Sequence, residues 1–194
     1  MTTICAVRKL DRVAIACDTC TTYGASIETA KYVANHSKII SVGDAYVALS
    51  GPTGGKLAVS QFFGTGDTYD LSSADSIYDT WLELHRFLKD HCFLNQQDND
   101  DDAFESSSIE ALIVSSSGIF GVSRQRAVQE FTRFYAYGRG NEYAMGAMYA
   151  CYDDPAIHAE ALARLGVTAA AEFNDSTALP VIVHVIDIGR VAEP

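Results

Sequence analysis

The sequence predicts an α+β protein. Short β-rich runs come in hairpin pairs, and the helical patterns are gathered into two blocks between them. Strands and helices therefore do not alternate one for one, as βαβ units would require, and the chain closes on a strand.

Residues 3–7 and 13–17 are short, apolar and β-rich, and Lys9-Leu10-Asp11-Arg12 between them reads as a tight turn. In a hairpin centred on residues 10–11, opposed positions sum to about 20, which sets Thr2 across from Asp18. Residues 38–42 and 45–49 flank Gly43-Asp44, a dipeptide that tolerates positive φ. Residues 50–55 form a glycine-rich turn, and 56–63 look helical. A stronger helix is expected over 74–92, where Ile77, Trp81, Leu84, His85 and Leu88 recur at helical spacing. Ser73 or Asp75 would cap its start.

Residues 95–108 are polar and acidic and read as a mobile surface loop. Their Asp run lacks the glycine and the distal Glu of an EF-hand loop. Residues 109–114 and 119–122 flank a Ser-Ser-Ser-Gly turn. Residues 128–137 continue as one strand, which Gly138-Arg139-Gly140 ends. Helices follow over 143–152 and 156–166, the latter continuing through 167–172, and 180–187 form the closing strand. There is no internal repeat and no long linker, so residues 1–194 are expected to form a single domain.

The formal charge is −11, with no Lys/Arg cluster, which argues against nucleic acid or anionic lipid as a partner. No apolar run approaches the roughly 20 residues of a membrane helix. The first residues lack the pattern of a signal peptide, so a cytoplasmic location is expected. Five scattered cysteines do not suggest a disulfide framework; Cys17-Asp18-Thr19-Cys20 is an isolated Cys-x-x-Cys. Gly51-Pro-Thr-Gly-Gly-Lys56 is not a phosphate-binding loop, because Leu57 follows the lysine.

Three residues suggest chemistry. Removal of Met1 would leave Thr2 with a hydroxyl beside a free α-amino group, whose pKa near 8 suits a base close to neutral pH. A threonine hydroxyl is a weak nucleophile unless such a base activates it. Asp18 ends the partner strand of the first hairpin. Lys38 opens a strand rather than sitting in a polar run, and an ammonium near a hydroxyl favours its deprotonation. Each has an ordinary alternative: a small second residue, a strand-end turn, a solvated strand-edge lysine.

Taken in order, Thr2-Thr-Ile-Cys-Ala-Val-Arg8, Val13-Ala-Ile-Ala-Cys-Asp18, the Lys38-Ile-Ile strand leading to Ser50-Gly51, and Gly138-Arg-Gly140-Asn-Glu-Tyr143-Ala144 resemble the proteasome β-subunit family and its bacterial HslV members. Within it they resemble the betaproteobacterial proteasome homologue branch. The resemblance implies the Ntn-hydrolase fold, a four-layer αββα sandwich. It also implies a threonine-type endopeptidase in which Thr2 attacks the scissile carbonyl with its own amine as base. Lys38 would supply positive charge, Asp18 would hold that lysine, and Gly51 would donate a backbone N–H to the oxyanion. Thr22 would pair with extended substrate, and His36, Ile40, Leu49 and Thr53 would line a specificity pocket for small or apolar side chains. His36 would make that preference depend on pH.

Arg139 stands where the family carries a serine that contacts the nucleophile's amine, and a guanidinium cannot accept a hydrogen bond. The stretch from Asp18 to Lys38 is also longer than the family's, and Lys38 rather than Lys31 is chosen for the strand that follows it. Carbonyls near Ala171, Asn174 and Thr177 match a family site for a monovalent or divalent cation; no cofactor is required. The implied partners are further copies of the chain in a double ring of 12 or 14 subunits, protein or peptide substrates, and an ATP-dependent unfoldase. Two alternatives are an inactive proteasome-like ring, which Arg139 favours, and an Ntn amidohydrolase acting on small molecules.

Overall fold

The structure is a computed structural model that describes residues 2–95 and 103–188. Its first hairpin joins β1 (Thr3–Lys9) to β2 (Arg12–Cys17) through Leu10 and Asp11, with Leu10 at φ 57°. Thr21–Tyr23 (β3) and Ser26–Glu28 (β4) form a separate ribbon about Gly24, which the sequence reading did not foresee. Ile39–Val42 (β5) and Ala45–Ser50 (β6) form the expected hairpin, and Gly43 adopts the positive φ its turn needs.

Helices α1 (Gly55–Phe63) and α2 (Ala74–Cys92) follow. The bounds of α2 are those the periodicity predicts, and Ser73 rather than Asp75 caps it. Ser73 and Ser76 exchange side-chain-to-backbone hydrogen bonds at its start, while Lys89 and His91 lie in the last turn, where the helix dipole favours cations. Next come β7 (Glu110–Ser115) and β8 (Gly118–Val122), as expected.

Residues 128–137 are not one strand. They divide into β9 (Val128–Phe131) and β10 (Phe134–Gly138), which belong to different sheets. The chain crosses between sheets at Thr132-Arg133, and no glycine or proline marks the crossing. Helix α3 is Asn141–Cys151. Helix α4, Ala159–Phe173, starts three residues later than expected, because Asp154 Oδ1 accepts a hydrogen bond from Ala156 N and holds a turn there. Strand β11 (Ile182–Asp187) is the last element among the described residues.

One sheet runs β10-β1-β2-β11 and the other β5-β6-β7-β8-β9. Alternation along β1 and β2 explains their stacking. Cys5, Val7, Ala14 and Ala16 face α3 and α4, whereas Ile4, Ala6, Val13 and Ile15 meet Ala48, Leu112, Val114 and Ile119 of the other sheet. The far side of that sheet packs Val47, Leu49 and Ile113 against Val59, Phe62, Ile77 and Trp81 of α1 and α2. The result is the αββα order. Burial on both faces explains why β1 and β2 read as continuous apolar runs.

Small residues set the spacing on the α4 side: a Cβ on Gly166 would stand 3.2 Å from Cys5 Sγ. Cys17 lies in the layer between the sheets, where burial pushes its thiol up to about 12, so it is a core residue rather than a thiolate. No helix among the described residues is long and apolar enough to cross a membrane.

Candidate active site

The first hairpin's two-residue turn pairs Lys9 with Arg12 and Ile4 with Cys17. Opposed positions therefore sum to 21, so Asp18 stands across from Thr3, not Thr2. The expected register was one residue short because the strands continue to the edge of the turn. The consequence is chemical. Asp18 Oδ1 accepts from the backbone N–H of Thr3 at 2.9 Å, which fixes the backbone next to Thr2.

The Asp18 side chain is fully buried, and its other partners converge from separate elements. Lys38 Nζ donates to Oδ1 at 2.7 Å, and the Cys20 N–H donates to Oδ2 at 3.0 Å. Lys38 lies just ahead of β5, where its carbonyl accepts from Leu49 N at 3.0 Å. Its ammonium is thus located by backbone at one end and a carboxylate at the other. A charge so deeply buried is tolerated only when paired and hydrogen-bonded.

Thr2 is itself buried, and its carbonyl accepts from the backbone N–H of Arg139 at 2.9 Å. The Arg139 side chain is exposed, so the backbone of this position, not its guanidinium, grips Thr2. Gly138 before it has φ 93°, and a Cβ there would collide with the Thr2 carbonyl. Gly51 follows β6, and a Cβ on it would stand 2.8 Å from the Ser108 carbonyl oxygen.

Thr2, Lys38 and Gly51 share a cavity of about 230 Å³ with His36, Leu49 and Thr53. His36 Nδ1 lies 2.7 Å from the Val33 carbonyl oxygen. Two expected residues lie outside this lining. Ile40 turns onto the α1/α2 core while Ile39 enters the layer between the sheets, as strand alternation requires. Thr22 is flanked by Thr21 and Tyr23, which do line the cavity.

Sequence reasoning missed Tyr23, Glu28 and Lys56, because the β3–β4 ribbon that brings the first two was not foreseen. Lys56 donates to the Asn35 carbonyl at 3.2 Å, and burial pushes its ammonium below the usual lysine range. A second, more open depression of about 700 Å³ flanks Thr2 and Gly51 and carries Ser50, Glu110, Arg124 and Arg139.

The 174–177 turn is occupied by its own bonds. The Asn174 carbonyl accepts from Thr177 N, and its side-chain oxygen accepts from Ser176 N and Thr177 Oγ1. Thr177 Oγ1 also lies 2.6 Å from Thr3 Oγ1. Through these bonds Asn174 and Thr177 brace the start of β1, and Ala171 lies inside α4. Among the described residues no group of three His, Cys, Asp or Glu side chains is placed to hold a metal.

A solved structure described as Thiobacillus denitrificans BPH matches this chain with a TM-score of 0.92 and 49% sequence identity, over 97% of this chain and 99% of that one. The chain belongs to the proteasome-like family of Ntn hydrolases. A second structure, Thiobacillus denitrificans BPH in complex with epoxomicin, matches at 0.91 and 49% over 97% and 100% of the two chains. HslV from Trypanosoma brucei matches at 0.65 and 18% over 96% and 99%, a likeness that speaks to the fold alone. No family model and no curated protein sequence matches. As a member of this family the chain is an Ntn threonine protease subunit, and Thr2 shares its cavity with Lys38 of the buried Asp18–Lys38 pair.

Proposed function

We propose that this proteasome-like subunit, once Met1 is removed, cleaves peptide bonds with Thr2 as nucleophile. The observation that carries this reading is the buried Asp18 carboxylate, which aims the Lys38 ammonium into the cavity that Thr2 and Gly51 share. The Thr2 amine takes the proton of Thr2 Oγ1, directly or through a water, as Oγ1 bonds to the scissile carbonyl carbon. The carbonyl electron pair moves to oxygen, where the Gly51 N–H receives it; one such donor is worth about 3 kcal/mol. Collapse breaks the C–N bond, the amine passes its proton to the departing nitrogen, and water later hydrolyses the Thr2 ester. Lys38 favours loss of the Oγ1 proton throughout, and Asp18 keeps it there.

The acyl side of the substrate would lie in the first cavity, where Val33, Leu49 and Thr53 suit small or apolar side chains and His36 adds a polar wall. Extended substrate would add to β3 at Thr22 as a further strand. The departing side would leave through the depression lined by Arg124 and Arg139. Membership of the proteasome-like family supports assembly into rings of further copies; a double ring of 12 or 14 subunits, a cytoplasmic location and ATP-dependent unfolding by a partner belong to the same proposal.

The test is intact mass before and after a peptide epoxyketone, a probe that requires the hydroxyl and free amine of one threonine. The expected result is a chain without Met1 that gains a single adduct, while Thr2→Ala gains none and loses all peptide turnover. A processed chain that takes no adduct, or one that retains Met1, would instead support an inactive ring.

A further inference from the structure

The mechanism above leaves one buried hydroxyl beside Thr2 unused. Ser50 ends β6, immediately before Gly51, and is 6% exposed. Along β6, Ala48 enters the layer between the sheets while Leu49 turns to α1 and α2, so alternation sends Ser50 toward the first sheet. There it meets the start of β1. The point where a Cβ would stand on Gly138 lies 3.3 Å from Ser50 Oγ and 2.8 Å from the Thr2 carbonyl carbon. The Ser50 hydroxyl and the Thr2 main chain thus close on one spot.

Ser50 Oγ makes no hydrogen bond within the described residues. A buried hydroxyl left unpaired is costly and calls for an explanation. Arg139, nearby, has only donors on its side chain, which is exposed, and holds Thr2 through its backbone.

We propose that Ser50 Oγ is the hydrogen-bond partner of the Thr2 amine that loss of Met1 uncovers. It accepts from the protonated amine, and it holds the neutral amine with its lone pair toward Thr2 Oγ1. Ser50 ends the cycle with its own proton, since the proton taken from Oγ1 passes through the amine to the departing nitrogen. This inference rests on the Thr2 peptidase reading. The charged and titratable groups around the amine are Glu28, His36, Lys38 and Lys56 in the first cavity, Asp18 behind Lys38, and Glu110, Arg124 and Arg139 around the second.

The experiment compares wild type, Ser50→Ala, Ser50→Thr and Thr2→Ala in peptide turnover across pH. Intact mass verifies Met1 removal, and thermal unfolding verifies the fold of each. In Ser50→Ala, kcat is expected to fall about ten- to a hundredfold with little change in KM, the range for a lost hydrogen bond to a charged group. The acid limb of kcat/KM is expected to move to lower pH, because the protonated amine has lost an acceptor. Ser50→Thr, which keeps the hydroxyl, restores most of kcat.

An unchanged kcat and acid limb in a folded, processed Ser50→Ala overturns the inference. So does an equal loss in Ser50→Ala and Ser50→Thr with no movement of the acid limb, which would mark Ser50 as packing only. Turnover by Thr2→Ala would instead sink the peptidase reading itself. An inactive Thr2→Ala beside a wild-type-like Ser50→Ala would remove only the role given to Ser50.

Discussion

At Asp18 and at Glu105 a carboxylate gathers an ammonium and further donors, yet the two clusters sit in opposite environments. Asp18 is fully buried and takes backbone N–H groups of Thr3 and Cys20 along with Lys38. The Glu105 side chain is 41% exposed and takes both oxygens' bonds from Lys89, at 3.0 and 2.8 Å, with His85 Nε2 3.0 Å from Oε2. Around it Arg126 donates to the Glu105 carbonyl at 2.7 Å, and Ser107 Oγ bridges His85 and Arg126. Bonds from Lys89 first and His85 second hold the Glu105 carboxyl down at about 2. The exposed cluster ties the 105–107 stretch to α2; the buried one fixes the atoms beside Thr2. They meet at Gly51, because the Ser108 carbonyl next along the tied segment sits where a Gly51 Cβ would go. Burial separates their tasks: in water a carboxylate–ammonium pair is weak and screened, whereas in the core its loss strands a charge.

The strongest way to break this contrast is Asp18→Ala, which leaves Lys38 buried without its carboxylate. It is expected to destabilise the fold by about 3–5 kcal/mol in chemical denaturation. Peptide turnover should vanish in whatever folded fraction remains. A variant that stays both stable and active would show the pair to be dispensable.

Next in size is Gly51→Ala, at the junction of the two clusters. Its Cβ would press on the Ser108 carbonyl, so a loss of about 1–3 kcal/mol is expected, with a larger fall in kcat than in substrate affinity. Equal thermal stability and kcat for the two proteins would mean that the junction is slack.

The smallest effect belongs to Glu105→Gln. The folded pKa of Glu105 is lowered from an ordinary 4.5 to about 2. Its contribution is therefore fully present above about pH 4.5 and is lost as pH falls toward 2. At neutral pH the variant should melt slightly below wild type. The gap should narrow as pH drops through that window, and also in high salt. A gap that stays constant from pH 7 to 3 would contradict the assigned pairing.

Much of the site is legible from local features. Asp18 ends a short apolar strand and Lys38 opens another, and both are found where those patterns suggest, within 2.7 Å of each other. Leu49, His36 and Thr53 were implied by the family resemblance, and they line the cavity with Lys38 and Gly51. Ser50 was hidden in plain view beside Gly51, because nothing local tells a buried, unpaired serine from an ordinary strand end. Arg139 drew notice through its side chain, whereas the fold uses its N–H.

By itself the sequence determined the αβ composition, the hairpins around Gly43 and after Ser115, the full extent of α2, and the order of the candidate chemical residues. Those properties follow from periodicity, capping and turn chemistry, which act within a few residues along the chain. Only the tertiary structure decided that β9 and β10 join different sheets, that Asp18 opposes Thr3, that Ile40 faces helices while Ile39 faces the other sheet, and that Ser50 closes on Thr2. Each of these depends on which distant segment covers a given face, and burial by a distant partner leaves no mark on neighbouring residues.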